Sequence, residues 1–296
     1  MTISASKIRF ESPNLKALSK EGLTSVDMHL HTDHSDAALT VERALQKARK
    51  DGFGIAVTDH NEISGSLKAF DEAQGTIVVP GIEVSAADGP HILAYFYSPG
   101  DLKDFYARHV APRKRSSPWL AIRSDTPTIA SALEKYPCLT VAAHPYGYLM
   151  FNKGLQKCID LEYLAPEIVD GFEGFEVICG GMAHALNLKA VELADRKGKC
   201  FTGGTDGHIL QDLGSVVTCA LASSHEEFLE AVEARENMVV GKEKDPFQKV
   251  ATGTMLLGKH SRYFLPSMQV HFEQNLPRIK HYFDRKVRQF KEWNEK

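Results

Sequence analysis

The chain has 296 residues, of which 43% are hydrophobic and 25% are charged, and its formal net charge is −3. This is the composition of an ordinary globular protein with enough chain for a large core. The charge gives no sign of a long nucleic acid or a membrane as partner, and no apolar run is long enough to span a bilayer.

The first residues, MTISASKIRFESP, lack the apolar centre of a signal peptide, so we expect a cytoplasmic protein. The five cysteines form no CxxC pair, which argues against a zinc ribbon or a thioredoxin motif. We expect reduced thiols that are mostly buried. The alternative is a nucleophilic role for Cys179 in EVICGG.

Apolar runs alternate with helix-like segments along most of the chain. The predicted strands are LTSVDMHLH, FGIAVTDH, TIVVPGIEV, HILAYFY, CLTVAAHP, GFEGFEVI, CFTGGTDGH and LGSVVTCALA. The predicted helices are LTVERALQKARKDG, GSLKAFDEAQ, TIASALEKYP, MAHALNLKAVELADRKG and SHEEFLEAVEAR. Thr40 and Ser224 are candidate N-caps of predicted helices, and Gly52 and Gly198 are candidate residues at which predicted helices end. The alternation predicts a parallel sheet with helices outside, and about seven strand–helix units favour a barrel.

Two segments depart from this alternation. Residues 105–127 are basic and proline-containing, which is typical of a solvated surface loop. The alternative is a lid over the active site that binds phosphate through Arg113, Lys114, Arg115 or Arg123.

After Lys242 the alternation stops. Apolar residues then recur every three or four positions, at Phe272, Leu276, Ile279, Phe283, Val287 and Phe290. This spacing predicts a helix that packs its apolar stripe on the main domain. The first alternative is that this helix forms a subunit interface, and the second is that it lies on a membrane surface.

The stretch DMHLHTDHSD places three histidines and three aspartates within ten residues. A hydrated surface turn would explain it by itself. His29 and His31, however, point the same way in an extended segment, so both imidazoles can reach one ion.

Further metal-capable residues lie at or after predicted strand ends, in this stretch and in the rest of the chain, with His91 at a strand start as the exception. They are Asp36, Asp59, His60, Glu83, His144, Asp206 and His208. The ends of parallel strands meet on one face of a barrel. Nitrogen and oxygen ligands without thiolates suit zinc, manganese or iron. The number of ligands indicates two or three ions, with a carboxylate such as Glu83 bridging.

The motifs HLH…SD, TDH, GIEVS, AHP and TDGH resemble, in order, those of the PHP (polymerase and histidinol phosphatase) family over roughly residues 24–240. The resemblance implies a distorted (β/α)7 barrel over 24–240, followed by a C-terminal extension over 241–296 with an amphipathic helix.

The resemblance also implies a trinuclear metal centre. The first ion would be held by His29, His31, Glu83 and Asp206, the second by Glu83, His91 and His144, and the third by Asp36, His60 and His208. For the third ion the spacing favours Asp36, and His34 is the alternative. Asp59 and Glu176 are candidates for orienting these ligands.

The implied activity is hydrolysis of a small phosphate monoester, such as histidinol phosphate, a sugar phosphate or a nucleotide, by a hydroxide held between two ions. A phosphodiesterase acting on nucleotides or oligonucleotide ends would use the same metals. An amidohydrolase and a non-catalytic metal-bound interaction module are further alternatives. A homo-oligomer could form through the C-terminal helix.

Overall fold

The computed structural model describes residues 7–147 and 153–294, apart from the side chains at some positions of the last two helices. Its strands are β1 (Ile8–Arg9), β2 (Thr24–Leu30), β3 (Gly54–Val57), β4 (Gly81–Ser85), β5 (His91–Phe96), β6 (Cys138–Ala142), β7 (Gly174–Cys179), β8 (Cys200–Gly204), β9 (Val216–Ala220) and β10 (Met238–Gly241). Each predicted strand is confirmed as one of β2 to β9.

The helices are α1 (Leu15–Lys20), α2 (Val41–Asp51), α3 (Ser64–Asp71), α4 (Pro99–Phe105), α5 (Thr126–Leu133), α6 (Leu155–Asp160), α7 (His184–Lys197), α8 (His225–Glu233), α9 (Pro246–His260) and α10 (Phe264–Asn294). The five predicted helices are confirmed as α2, α3, α5, α7 and α8. Thr40 caps α2 by accepting from the Arg43 amide, and Ser224 caps α8 in the same way. Gly52 and Gly198 end α2 and α7 in the left-handed conformation.

The strands form two five-stranded sheets within the described residues. Their orders are β1-β10-β9-β2-β3 and β4-β5-β6-β7-β8. Isolated bridges join Leu30 to Gly207, Ile55 to Val78 and His60 to Glu83 where the sheets meet. The protein is thus a mixed α/β fold, and the (β/α)7 barrel is not confirmed, because the ladders do not close into one sheet.

The expectation of a parallel sheet is wrong for several strand pairs. Strand β5 is antiparallel to both β4 and β6, and β9 is antiparallel to both β2 and β10. The β4–β5 connection explains one of these pairs, because only residues 86–90 separate the two strands. Parallel pairing needs a crossover of a dozen or more residues, so this connection can make only a hairpin.

Residues 105–127 are not a fully solvated loop. They continue α4 with a π-helical turn, Tyr106–Val110, and a 3-10 turn, Ala111–Arg113. Further along, Trp119 is 7% exposed and Ile122 is 1% exposed. The Trp119 ring also packs edge-on against Tyr263, 5.1 Å away, so the segment is fixed against the C-terminal region.

The expected packing of the C-terminal stripe is also wrong. Helix α10 turns Val270, Gln274 and Arg278 toward the rest of the protein, and its apolar stripe faces away. The described residues of the predicted stripe are more than half exposed: Phe272, Leu276, Ile279, Phe283 and Val287. Leu265 and Met268 are also more than half exposed and extend the stripe toward the start of the helix, giving seven side chains. The side chain of Phe290 lies outside the described residues. No described helix combines the length and apolar character that crossing a bilayer requires.

Candidate metal centre

The predicted ligands meet where the two sheets adjoin. His29, His31, His60, Glu83, His91, His144, Asp206, His208 and Asp36 are all buried. Most follow the carboxyl end of a strand. His91 begins β5, yet it arrives at the same place, because the antiparallel pair Ser85–His91 puts the start of β5 beside the end of β4. The hairpin therefore accounts for the one predicted ligand at a strand start.

Glu83 lies at the centre of the cluster. One carboxylate oxygen, Oε1, is 2.9 Å from His91 Nδ1, 3.2 Å from His144 Nε2 and 3.6 Å from His29 Nε2. The other, Oε2, is 2.6 Å from His60 Nδ1 and 3.5 Å from His31 Nε2. A single carboxylate thus faces five imidazoles, which is the position that a bridging ligand would occupy.

Three groups of side chains bring ligand atoms within 4.8 Å of one another. They are His29, His31 and Asp206; His60, Glu83 and His91; and His31, Asp36, His60 and His208. These groups are close to the three sets implied by the family resemblance. They differ in that Glu83 is absent from the first group and His144 from all three. His31 and His60 each belong to two groups, so the groups share members and form one continuous cluster.

The cluster fits divalent ions. Ligand atoms 2.0–2.2 Å from one tetrahedral ion are roughly 3.3 Å apart, and His31 Nε2 is 3.1 Å from Asp206 Oδ1 while His208 Nε2 is 3.4 Å from Asp36 Oδ1. The nitrogens His29 Nε2 and His208 Nε2 are buried and have no hydrogen-bond partner among the described residues. Buried nitrogens of this kind are normally satisfied, and an ion would satisfy them.

Electrostatics also favours ligation. Burial works to raise the pKa of Glu83, but the imidazoles that surround its carboxylate, His60 foremost, outweigh it and hold that pKa well below its usual range. Burial lowers the pKa of His31 and of His91 to about 3. Ionised carboxylates and neutral imidazoles are the forms that bind metal. His29 and His60 differ. Burial works to lower their pKa values, but Glu176 and Glu83 raise the pKa of His29, and Glu83 and Asp36 raise that of His60, so an ion would have to displace a proton from each.

The stretch from Asp33 to Asp36 places only one side chain in the cluster. Asp36 Oδ2 is 3.8 Å from His60 Nε2, and Asp36 is 3% exposed. His34 turns away, and its Nδ1 instead contacts the Ser64 hydroxyl at 2.8 Å. The geometry therefore favours Asp36 over His34 as a ligand.

Both candidate orienting residues contact the ligands or their loop. Glu176 accepts from His29 Nδ1 at 2.9 Å and from the His144 amide at 2.7 Å. Asp59 accepts from the amide and hydroxyl of Thr32, both at 2.6 Å, and from Ser35 at 2.5 Å. Glu176 thus fixes the His29 ring, and Asp59 fixes the loop that carries Asp36.

Two further supports were not predicted from the sequence. Asp27 accepts from the amide and hydroxyl of Thr205 and from the Gly214 amide, so it anchors the loop before Asp206. Its alternation with His29 and His31 along β2 was the available signal. The second support, Lys244, contacts Asp212 at 2.8 Å and donates to the Asp206 carbonyl at 2.7 Å, with 3% of its side chain exposed.

The four basic residues proposed for a lid have other partners. Lys114 contacts Glu62 at 2.9 Å, and Arg115 pairs with Glu273 of α10. Arg113 and Arg123 donate to the backbone carbonyls of Arg108 and Lys114. Phosphate binding by these residues stays a prediction. The cavity beside His91 is instead lined by Lys153 and Arg278, which sequence reasoning missed because neither lies in a motif.

Replacing Glu176 by glutamine should lower metal affinity by about 10- to 100-fold, the usual effect of losing a partner that orients a ligand. Glutamine keeps the size of the side chain, but its uncharged oxygen accepts a weaker hydrogen bond from His29 Nδ1. The measurement is metal titration followed by elemental analysis, with the exposed Glu230→Gln as control. Unchanged affinity would mean that Glu176 is only a packing residue.

Family comparison points in the same direction as the geometry. A model described as the PHP domain matches residues 27–209, and a second, described as PHP-associated, matches residues 184–237. No curated protein sequence matches this chain significantly.

Three solved structures are similar to this chain. A candidate metal-dependent phosphoesterase from Bifidobacterium adolescentis is 20% identical with a TM-score of 0.54, covering 80% of this chain and 100% of that one. An amidohydrolase from Chromobacterium violaceum with bound sulfate is 20% identical with a TM-score of 0.50, and the match covers 71% of this chain and 96% of that one. The lesion-specific endonuclease Q from Pyrococcus furiosus is 15% identical with a TM-score of 0.58, covering 73% and 57%. At these identities the likeness concerns the fold.

Proposed function

The chain belongs to the PHP domain family, and from this premise we propose that it is a metal-dependent hydrolase of small phosphate monoesters. The observation that carries the proposal is the position of Glu83, whose two oxygens face five imidazoles at 2.6–3.6 Å. We propose that two or three ions, zinc, manganese or iron, bind around it. The pairing of the two sheets through isolated bridges supports treating them as halves of a distorted barrel.

Bound divalent ions would supply activated water and neutralise charge on the phosphoryl oxygens. The residues of the chain provide the ionised and oriented ligands that this chemistry requires. Glu83 and Asp206 are held ionised by the imidazoles around them, against the effect of burial. Glu176 and Asp59 orient the ligands, and Lys153 lies beside the candidate ligand His91, whose amide donates to the Lys153 carbonyl.

Hydrolysis of a phosphodiester is the second candidate. The similarity in fold to an endonuclease supports it. Against long nucleic acids stand the net charge of −3 and the small size of the cavity beside His91, about 190 Å³. No observation in the described residues favours an amidohydrolase or a pure interaction module over a phosphoesterase.

Elemental analysis of the purified protein, combined with a phosphate-release screen, tests the proposal. The screen compares sugar phosphates, histidinol phosphate and mononucleotides with a model diester on metal-loaded protein. We expect two or three equivalents of metal and fast turnover of a monoester. Turnover of the diester alone would favour the second candidate, and absence of both metal and turnover would contradict the proposal.

We also propose that the apolar stripe of α10 binds a second copy of this chain. Monomeric proteins rarely expose an apolar patch of more than a few hundred Å². The seven stripe side chains are each more than half exposed, and a stable interface buries about 800 Å² on each partner. Because the stripe is continuous along one helix face, two copies can pair their stripes.

The double substitution Phe272→Glu with Ile279→Glu should therefore convert a dimer into a monomer, because it buries two charges in the paired stripes. Sedimentation velocity at micromolar concentration measures the change. The control is Asp284→Lys with Arg288→Glu, on exposed positions away from the stripe. A monomeric wild-type protein that binds anionic lipid vesicles would contradict the dimer and indicate a membrane-surface helix instead.

A further inference from the structure

A cavity of about 190 Å³ opens beside the metal centre. The β4–β5 hairpin forms one wall with Ser85 and His91, and helix α10 contributes Gln274 and Arg278 to the opposite wall. Lys153 completes the lining near His91. Two cationic side chains thus line a space large enough for a small molecule, and no carboxylate lines it among the described residues.

Lys153 ties this cavity to the metal centre. The amide of His91 donates to the Lys153 carbonyl at 2.9 Å, so the backbone of the lysine is fixed beside a candidate ligand. Lys153 is half-buried and lines the cavity together with His91. A phosphoryl group at the metal centre would therefore meet this lysine.

Ser85 gives a second sign that the cavity receives a ligand. Its hydroxyl is buried and has no hydrogen-bond partner among the described residues, although Ser85 lines the cavity. A buried hydroxyl without a partner is unfavourable by a margin comparable to a lost hydrogen bond. A polar ligand in the cavity would supply the missing partner.

The wall opposite the metals is formed by a rigidly held arginine. Arg278 is 9% exposed, donates to the Asp88 carbonyl and to Cys158 Sγ, and lies over the Tyr163 ring with 5.2 Å to its centroid. Beside it, Gln274 donates to the Ala86 carbonyl at 3.2 Å, which joins α10 to the hairpin. A planar guanidinium fixed in this way is suited to binding a carboxylate or a phosphate.

We propose that this cavity is the substrate pocket, and that it selects phosphate monoesters with a second anionic group, which Arg278 binds while Lys153 faces the phosphoryl group at the metals. Hydrolysis of such a monoester rests on the proposed phosphatase function, whereas binding of its two anionic groups in the cavity does not. It predicts that the C-terminal helix, outside the segment matched by the PHP domain model, determines substrate choice.

Binding of phosphonates, which are not hydrolysed, tests the pocket independently of turnover. Calorimetry on the metal-loaded full chain compares propylphosphonate with 3-phosphonopropionate and with 1,3-propanediphosphonate. We expect the two compounds with a second anion to bind roughly ten- to a hundred-fold more tightly, the range of one charge-assisted hydrogen-bonding contact. The relative affinity of these two compounds shows whether a carboxylate or a phosphate is preferred.

Two variants and a control place the effect in the pocket. Arg278→Met and Gln274→Glu should each reduce the preference for phosphonates with a second anion to less than three-fold. Gln274→Glu leaves Arg278 and its packing in place. Lys280→Gln changes the charge of the same helix by the same amount as Gln274→Glu, at an exposed position, and should leave the preference intact.

The outcomes separate the two proposals. Equal affinity of wild-type protein for all three phosphonates, or a preference that survives both variants, would overturn the pocket even if phosphate esters are hydrolysed. A preference that the variants abolish would support the pocket, even if the phosphate-release screen found no turnover and thereby contradicted the proposed function.

Discussion

Replacing Glu83 by glutamine is expected to remove at least one metal ion and to lower kcat/KM by about 10³-fold. The amide has nearly the same shape as the carboxylate but carries no charge, so it cannot bridge two cations. Its NH₂ group would also face imidazole nitrogens that now lie 2.6–3.6 Å from a carboxylate oxygen. Metal ions contribute several kcal/mol to charge stabilisation in the transition state, and each 1.4 kcal/mol is about tenfold in rate.

Elemental analysis and steady-state kinetics with the monoester found in the screen measure this effect. Glu230→Gln, an exposed substitution of the same kind, is the control and should retain full metal content. If Glu83→Gln kept both its metal and its rate, the central carboxylate would not be a ligand, and the metal centre would have to be assigned to other residues.

Replacing Lys244 by methionine should lower the free energy of unfolding by about 3–5 kcal/mol, because it leaves Asp212 as a buried charge without its partner. Lys244 and Asp212 lie 2.8 Å apart with 3% and 0% of their side chains exposed. The same ammonium group donates to the carbonyl of Asp206. We therefore expect metal affinity to fall about tenfold as well.

Urea unfolding of the metal-free protein gives the stability change, and metal titration gives the affinity. Lys242→Met, two positions earlier and exposed, should change neither. The double variant Lys244→Met with Asp212→Asn should recover most of the stability, since no buried charge remains, but not the affinity. A loss of less than about 1 kcal/mol in the single variant would show that water reaches Asp212.

The sequence predicted local structure well where one residue determines it. Thr40 and Ser224 cap helices, and Gly52 ends one, because these effects depend on the neighbouring residues alone. The sequence also predicted that His29 and His31 lie together, because alternation along a strand places residues i and i+2 on one face. Strand direction was not predictable from apolar runs, which are alike in parallel and antiparallel strands.

The missed residues share a different property. Lys244 and Arg278 come from the C-terminal part of the chain. Lys244 reaches the metal centre and Arg278 reaches the cavity beside it through tertiary packing, which no motif or period reveals. The stripe of α10 was recognised as apolar, but periodicity does not say which face of an amphipathic helix meets the protein. Its polar face does so here, through Gln274 and Arg278.

The β4–β5 hairpin gives the centre an order of assembly. The ligands Glu83 and His91 are eight residues apart in sequence, whereas the ligands His31 and Asp206 are 175 apart. Local contacts close early in folding and distant ones late. One pair of ligands therefore forms with the first hairpin, and the others arrive only when distant strands have docked. Metal uptake during refolding would thus report the last stage of the process.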